Sequence, residues 1–327
     1  MRRRTPLIAA AAAVCFLLGA AAGGVGSTFG RFSATTSNAG DSFAAATDWV
    51  APTVSATIIA KTAGGTPGAI HKGGTYFVYA NVSDTGNPAS GVASVTANVS
   101  TISSGQTAVS FSAGSFTIGG VTYGYRTSSI TADANLGAGT ATYAVTSTDV
   151  AGNSGTQTGF TVTVDNTAPA GSDVQTANGA GGTAGRAELG DGLTFTYTEA
   201  IDPNSVLAGW TGTSTNVVVR IIQGVPHDTF QVWNATNTSQ LPLGTVDLGG
   251  TGYVLGTVTF GASGTPSTMV RSGSTITITL GAASGTVLLA AVPGTISWPP
   301  SSTPTDAAGN ACATTTVSET GALDVEF

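Results

Sequence analysis

The sequence predicts an all-β protein, with an N-terminal signal helix followed by two tandem β-sandwich modules. Three observations carry that fold class. One hairpin phrase occurs twice, as Asp149-Val-Ala-Gly-Asn153 and, 157 positions later, as Asp306-Ala-Ala-Gly-Asn310. Alternating Thr/Val runs are separated by Gly-rich breaks such as Gly64-Gly65 and Gly73-Gly74, the pattern of short half-buried strands joined by turns. Charged residues make up only 8% of the 327, against roughly 25% in an average soluble domain. The polarity comes from Thr, Ser, Asn and Gly, which favour strands and turns. Disorder is excluded by the 41% hydrophobic content, because disordered chains combine low hydrophobicity with high charge.

The first element is residues 1–31, read as a signal peptide. Arg2, Arg3 and Arg4 precede an Ala/Leu/Gly core with no further charge before Arg31. A basic start, an apolar core and small residues near Ala20-Ala21-Ala22 form a secretory signal, so the protein is expected to be secreted or displayed on the cell surface. An uncleaved anchor is the alternative, since about 20 apolar residues span a bilayer as a helix. The membrane is otherwise expected to touch the chain only through this segment before cleavage.

The second element, residues 32–48, is read as an extended mature N-terminus. Thr28-Phe29-Gly-Arg-Phe32-Ser followed by Asn38-Ala-Gly-Asp-Ser-Phe43 resembles the export segment of camelysin/TasA-type secreted proteins. That resemblance implies cleavage before Phe32 by a dedicated signal peptidase, and a tendency toward fibre assembly. The likeness covers about 20 positions, and Ala45–Thr47 departs from the family's Gly-Thr strand start.

Module one is read as residues 49–166. Its strand candidates are Val54–Ala60, Thr75–Ser83, Val92–Ser100, Ala108–Phe111, Gly120–Thr131, Thr140–Thr148 and Phe160–Val164. About seven short strands with turn signals between them argue a sandwich. In each copy of the hairpin phrase the Asp is able to bond backbone groups ahead of it, and Gly-Asn tolerates positive φ. Asp-x-Ala-Gly-Asn between Thr/Val strands, followed by Val164-Asp165-Asn166-Thr167-Ala168-Pro169, resembles the closing hairpin and linker of bacterial immunoglobulin-like modules. By that resemblance the fold is two tandem immunoglobulin-like β-sandwich modules.

Module two is read as residues 167–327. Gly192–Tyr197, Val217–Ile222, Thr229–Trp233, Thr257–Phe260 and Ser274–Leu280 continue the strand pattern, and Ile296–Trp298 adds another candidate. The module is longer than one simple sandwich requires. The excess is assigned to an extra hairpin or long loops around Asn234–Gly252. No helical periodicity is expected outside the signal.

The chemistry is sparse, and no catalytic, cofactor-binding or metal residues are assigned. His71 and His227 are the only histidines, and no metal-binding His or Cys spacing, nucleophile elbow or phosphate loop is present. His227 and Asp228 adjoin on a strand and so point to opposite faces. Glu199 and Asp202 are weighed as paired carboxylates and read instead as a strand end and an Asp202-Pro203 turn. Asp84, Asp149, Asn153 and Asp165-Asn166 offer oxygen ligands suited to Ca²⁺, but no Asp-x-Asp run concentrates them. Tyr123 and Tyr125, at i and i+2, are expected on one strand face, a candidate sugar platform; Trp210 and Trp233 stand alone. With Cys15 in the signal, Cys312 is the mature chain's one thiol, and a buried small residue is its expected role.

Ten Lys and Arg oppose seventeen Asp and Glu, a formal net charge of −7. Such a surface repels phosphate backbones, so no nucleic-acid partner is expected. No sortase motif or apolar tail precedes Phe327. The reading is a secreted or cell-surface structural or adhesive protein without catalytic activity, self-associating through its N-terminal segment. The alternative is an extracellular glycan-binding module.

Overall fold

The computed structural model describes residues 48–290, 292–321 and 326–327. The expected signal helix and nearly all of the 32–48 segment lie outside the described residues. Residues 46–327 form one compact unit, nearly all of it strand and loop.

The first sheet is built from β1 (Thr53–Lys61), β2 (Ala69–Ile70), β3 (Thr75–Ser83), β4 (Val92–Asn98), β5 (Val109–Ile118), β6 (Val121–Thr127), β7 (Ile130–Thr131), β8 (Gly139–Asp149) and β9 (Ser154–Val164). Its path runs β1-β3-β6-β5-β4-β8-β9-β2, with β7 also on β3. All pairs are antiparallel except β2–β9, where Ala69 faces Thr163 and Ile70 faces Val164. β5 pairs with β6 on one side and β4 on the other. The path therefore runs unbroken through that strand, and Gly68 N donating to Ile59 O at 2.8 Å brings its β1 and β2 ends together, a barrel-like arrangement.

Alternation along β3 shows how the sequence produces this arrangement. Tyr76, Val78 and Ala80 enter the main core with Ile59, Val95, Ile102 and Val145. Phe77 and Tyr79 point the other way, into a small outer cluster with Tyr123 and Phe116. Arg126 lies 4.3 Å from the Phe77 ring centroid and 4.4 Å from that of Phe116, a cation–π cover for the outer cluster.

Two expectations for this module are corrected. The run Gly120–Thr131 is two strands, because the Thr127 hydroxyl accepts the Val78 amide at 3.0 Å and interrupts the backbone ladder between β6 and β7. Tyr123 and Tyr125 do not act together. Tyr123 sits in the outer cluster, while Tyr125 packs on the main core. The Asn81 side chain bonds Thr122 O at 3.0 Å and Gly124 N at 2.7 Å, replacing the regular ladder on both sides of Tyr123. A register shift between Ala113 and Phe116 adds to the twist.

The second sheet contains β10 (Gly171–Ala177), β11 (Gly192–Tyr197), β12 (Thr215–Ile222), β13 (Thr229–Asn234), β14 (Val246–Asp247), β15 (Thr257–Phe260), β16 (Ser267–Ser272), β17 (Thr275–Thr279), β18 (Ala283–Ser284), β19 (Ser297–Trp298) and β20 (Val317–Ser318). The path is β10-β11-β17-β16-β12-β13-β14-β19-β20, and β15 joins β12 to β18. Its ends meet: Gln175 Nε2 donates to Thr320 O at 2.7 Å and Thr320 N to Asp173 Oδ1 at 2.9 Å. Trp298 is wholly buried. It stands edge-on to Tyr197 with centroids 5.0 Å apart and donates Nε1 to Leu243 O at 2.6 Å, satisfying the one polar atom of a large apolar group. One helical turn, α1 (Pro203–Val206), occupies the Asp202-Pro203 corner, where only a turn is expected; Asp202 is its N-cap and accepts from Asn204 N. Pro at the first helical position lacks an N–H that would be unpaired there in any case.

Candidate functional site: two acidic triads and the joint between them

The repeated hairpin places the same atoms in the same way twice. In module one, Asp149 Oδ1 accepts Asn153 N at 2.7 Å and Oδ2 accepts Asn153 Nδ2 at 2.7 Å. In module two, Asp306 Oδ1 accepts Asn310 N at 2.8 Å and Oδ2 accepts Asn310 Nδ2 at 2.8 Å. Gly152 and Gly309 stand at φ of 93° and 100°, a conformation only glycine adopts without strain. Each Asn amide then reaches the strand that enters its module. Asn153 Nδ2 donates to Asp48 O at 3.1 Å, and Asn310 Nδ2 to Asp165 O at 2.9 Å.

A third carboxylate completes each set, from the end of the module's second long strand. Asp48, Asp84 and Asp149 form one triad; Asp165, Glu199 and Asp306 form the other. In each, the nearest carboxylate oxygens all lie within 4.8 Å of one another. Asp48 and Asp165 precede the first strand, Asp84 and Glu199 follow β3 and β11, and Asp149 and Asp306 open the hairpin. The donors are all hard oxygens, the set that suits Ca²⁺ or Mg²⁺ and not a soft metal.

The two triads differ in how their charge is held. In module one, Asp48 accepts Val50 N at 3.0 Å and Ser90 N at 2.8 Å, and Asp84 accepts Gly86 N at 3.2 Å and Gly91 N at 2.7 Å. The amides from Val50 and Ser90 hold the Asp48 carboxyl below the usual aspartate value, against a smaller opposing effect of burial. In module two, Glu199 Oε1 is buried with no hydrogen-bond partner. Burial, and then the charges of Asp306 and Asp165, raise the Glu199 carboxyl, as expected for a carboxylate among like charges.

Between the triads lies the joint. Lys61, the last residue of β1, donates Nζ to Asp202 Oδ2 at 2.5 Å, to Asp306 O at 2.7 Å and to Ala307 O at 3.1 Å. The ammonium's three donors are thereby satisfied. Asp202 also accepts Thr66 N at 3.2 Å, so two groups of module one converge on one carboxylate of module two. An isolated parallel bridge, Ala170 to Ala313, ties the start of module two to its own closing hairpin.

No known protein family matches this chain. Comparison with curated proteins and with solved structures likewise found no similar protein.

The other candidate residues are placed apart from these sets. His227 bonds Asp247, Nδ1 to Oδ1 at 2.8 Å, and not its neighbour Asp228. Asp228 is fully buried and accepts Gly224 N, Gly252 N and Tyr253 N, which shapes two loops. Glu199 and Asp202 belong to different sets, the triad and the joint. Trp233 lies under Arg220, whose Cζ is 3.5 Å from the ring centroid. Cys312 is buried, and burial together with the Glu199 charge pushes its thiol up to about 11. Asp84 and Asp149 do come together, as does Asp165 with residues the sequence reading did not connect to it. Asp48, Glu199 and Asp306 were missed as partners, as was Lys61; the signal available was the equal placement of an acid before each module and after its second long strand.

Proposed function

We propose that this chain is a secreted or cell-surface structural or adhesive protein, without catalytic activity, built of two immunoglobulin-like modules fixed end to end. The observation that carries this reading is the repeated Asp–Asn lock together with the Lys61 clamp. Asn310 and Lys61 both reach across from one module to the other, to the Asp165 carbonyl and to Asp202. The strand path of module one supports the immunoglobulin-like assignment: β1-β3-β6-β5 forms one layer, β4-β8-β9 the other, and short β2 runs parallel to β9. In module two, β13 and β14 stand between β12 and β19, which supplies part of its extra length. The low charge and Thr-rich strands suit a protein that holds its shape outside the cell.

The test is genetic and biochemical together. A strain lacking the chain is expected to lose cell-to-cell or cell-to-surface cohesion, restored by the exported protein, whose N-terminus is read by sequencing. Unchanged cohesion, or a protein retained in the cytosol, rejects the reading.

A further inference from the structure

We infer that the cleft between the modules is a binding site for a carboxylated saccharide, a hexuronate residue held through Arg271. This goes beyond the structural reading and does not depend on it. The cleft has a volume of about 420 Å³ and is bordered by Thr66, Pro67, Pro203, Asn204, Trp210 and Arg271, with glycines from both modules between them. That is within the roughly 300–1,000 Å³ of small-molecule sites.

Arg271 supplies the charge argument. It forms no ion pair among the described residues. Its one side-chain hydrogen bond there is Nη1 to Gly273 O at 3.1 Å, and its Nε is buried with no partner. A guanidinium offers five donors in a planar fork that matches a carboxylate; with Nε closed off, the Nη groups are the ones left for a ligand. In a chain of net charge −7, a cation at a cleft with spare donors selects an anion. The acid beside it, Asp202, does not compete, because Lys61 neutralises it at 2.5 Å.

The rest of the lining selects the ligand's shape. One guanidinium without a second cation suits a single carboxylate better than a phosphate chain, which draws several charged donors. The half-exposed Pro67 ring gives a flat apolar wall of the kind that packs against a sugar ring, with the edges of buried Pro203 and Trp210 behind it. Trp210 is held in place by Nε1 donating to Thr213 O at 2.6 Å. Asn204 keeps an amide at the rim for hydroxyl groups, its own Oδ1 being bound to Gly209 N.

The experiment is isothermal titration of the full exported chain with a glucuronate-containing disaccharide, with the neutral disaccharide of the same linkage, and with a polyuronate. Binding of the acidic disaccharide at least tenfold tighter than the neutral one, weakened by salt, is the expected result. Tighter binding of the polyuronate per uronate unit identifies a polysaccharide as the source, and equal binding a free acidic sugar. Arg271→Gln should lose at least tenfold for the acidic ligand, with its unfolding midpoint recorded alongside. The neutral-sugar comparison uses the unaltered protein and stands whether or not the variant folds. Equal affinity for acidic and neutral sugars, or binding of neither, overturns the proposal.

Discussion

Lys61→Ala is the sharpest perturbation of the joint. Lys61 is 7% exposed and Asp202 3%, so the substitution leaves a carboxylate buried without its counter-charge. Removing one partner of a buried pair costs about 3–5 kcal/mol. The low end applies here, because Asp202 keeps the amides of Thr66 and Asn204. The carbonyls of Asp306 and Ala307 also lose their shared donor, though neither is sealed from water by the loss of a side chain. A cost of about 3 kcal/mol is more than a hundredfold in the unfolding equilibrium. At roughly 2–4 °C per kcal/mol, the midpoint should fall by about 6–12 °C by calorimetry. The double variant Lys61→Met with Asp202→Asn removes both charges and retains an N-capping side chain. It should recover most of the loss, since apolar replacement of a buried pair is often neutral. A single variant costing under about 1 kcal/mol, or a double variant no better than the single, refutes the electrostatic account of the joint.

Four further outcomes are expected. Glu199 is held above its usual value, so the folded chain binds its proton more readily than the unfolded chain; the associated stability is present in acid and lost as pH rises past the glutamate range. Glu199→Gln should flatten the unfolding midpoint between about pH 4 and 7, and an unchanged slope counts against the triad's repulsion. Asp48 has the opposite sign: its lowered carboxyl favours the fold above the aspartate range and is lost on acidification, so Asp48→Asn should reduce the acid sensitivity of module one in hydrogen exchange. Cys312, with its thiol raised to about 11, should resist thiol reagents at about pH 8 until the chain is unfolded, and rapid labelling of the native protein contradicts its burial. Finally, the chain beginning at Phe32 should self-associate at high concentration in light scattering while one lacking residues 32–48 stays monomeric; identical behaviour removes the assembly role of that segment.

Strands with two or more inward apolar residues were legible in the sequence. β3 reads Tyr76, Val78, Ala80 toward the core, and β11 reads Leu193, Phe195, Tyr197. β10 and β16 were not seen, because β10 buries only Val174 and β16 only Ser267 and Met269; pairing with neighbours makes them strands, and pairing leaves no local pattern. The hairpin phrase was legible down to its turn chemistry. Its reach was not: Asn153 and Asn310 act on carbonyls 105 and 145 positions away, a distance bridged only once the modules fold. Lys61 was hidden for a different reason. A single cation ending an apolar strand looks solvated until the second module arrives to enclose it.

The Asn310 bond to the Asp165 carbonyl has a consequence for how such chains grow. Asp165 follows directly on β9, the closing strand of module one, and its own amide donates to Ile70 O at 2.9 Å. The peptide unit that ends one module is thus the mooring for the next. Nothing in that mooring reads the identity of the preceding module beyond a backbone carbonyl and an acid. Asp48 offers the same carbonyl and the same acid at the head of module one, already gripped by Asn153. A third copy could therefore be moored by the same Asp–Asn atoms, whereas the Lys61–Asp202 clamp belongs to this pair of modules and would have to be supplied anew.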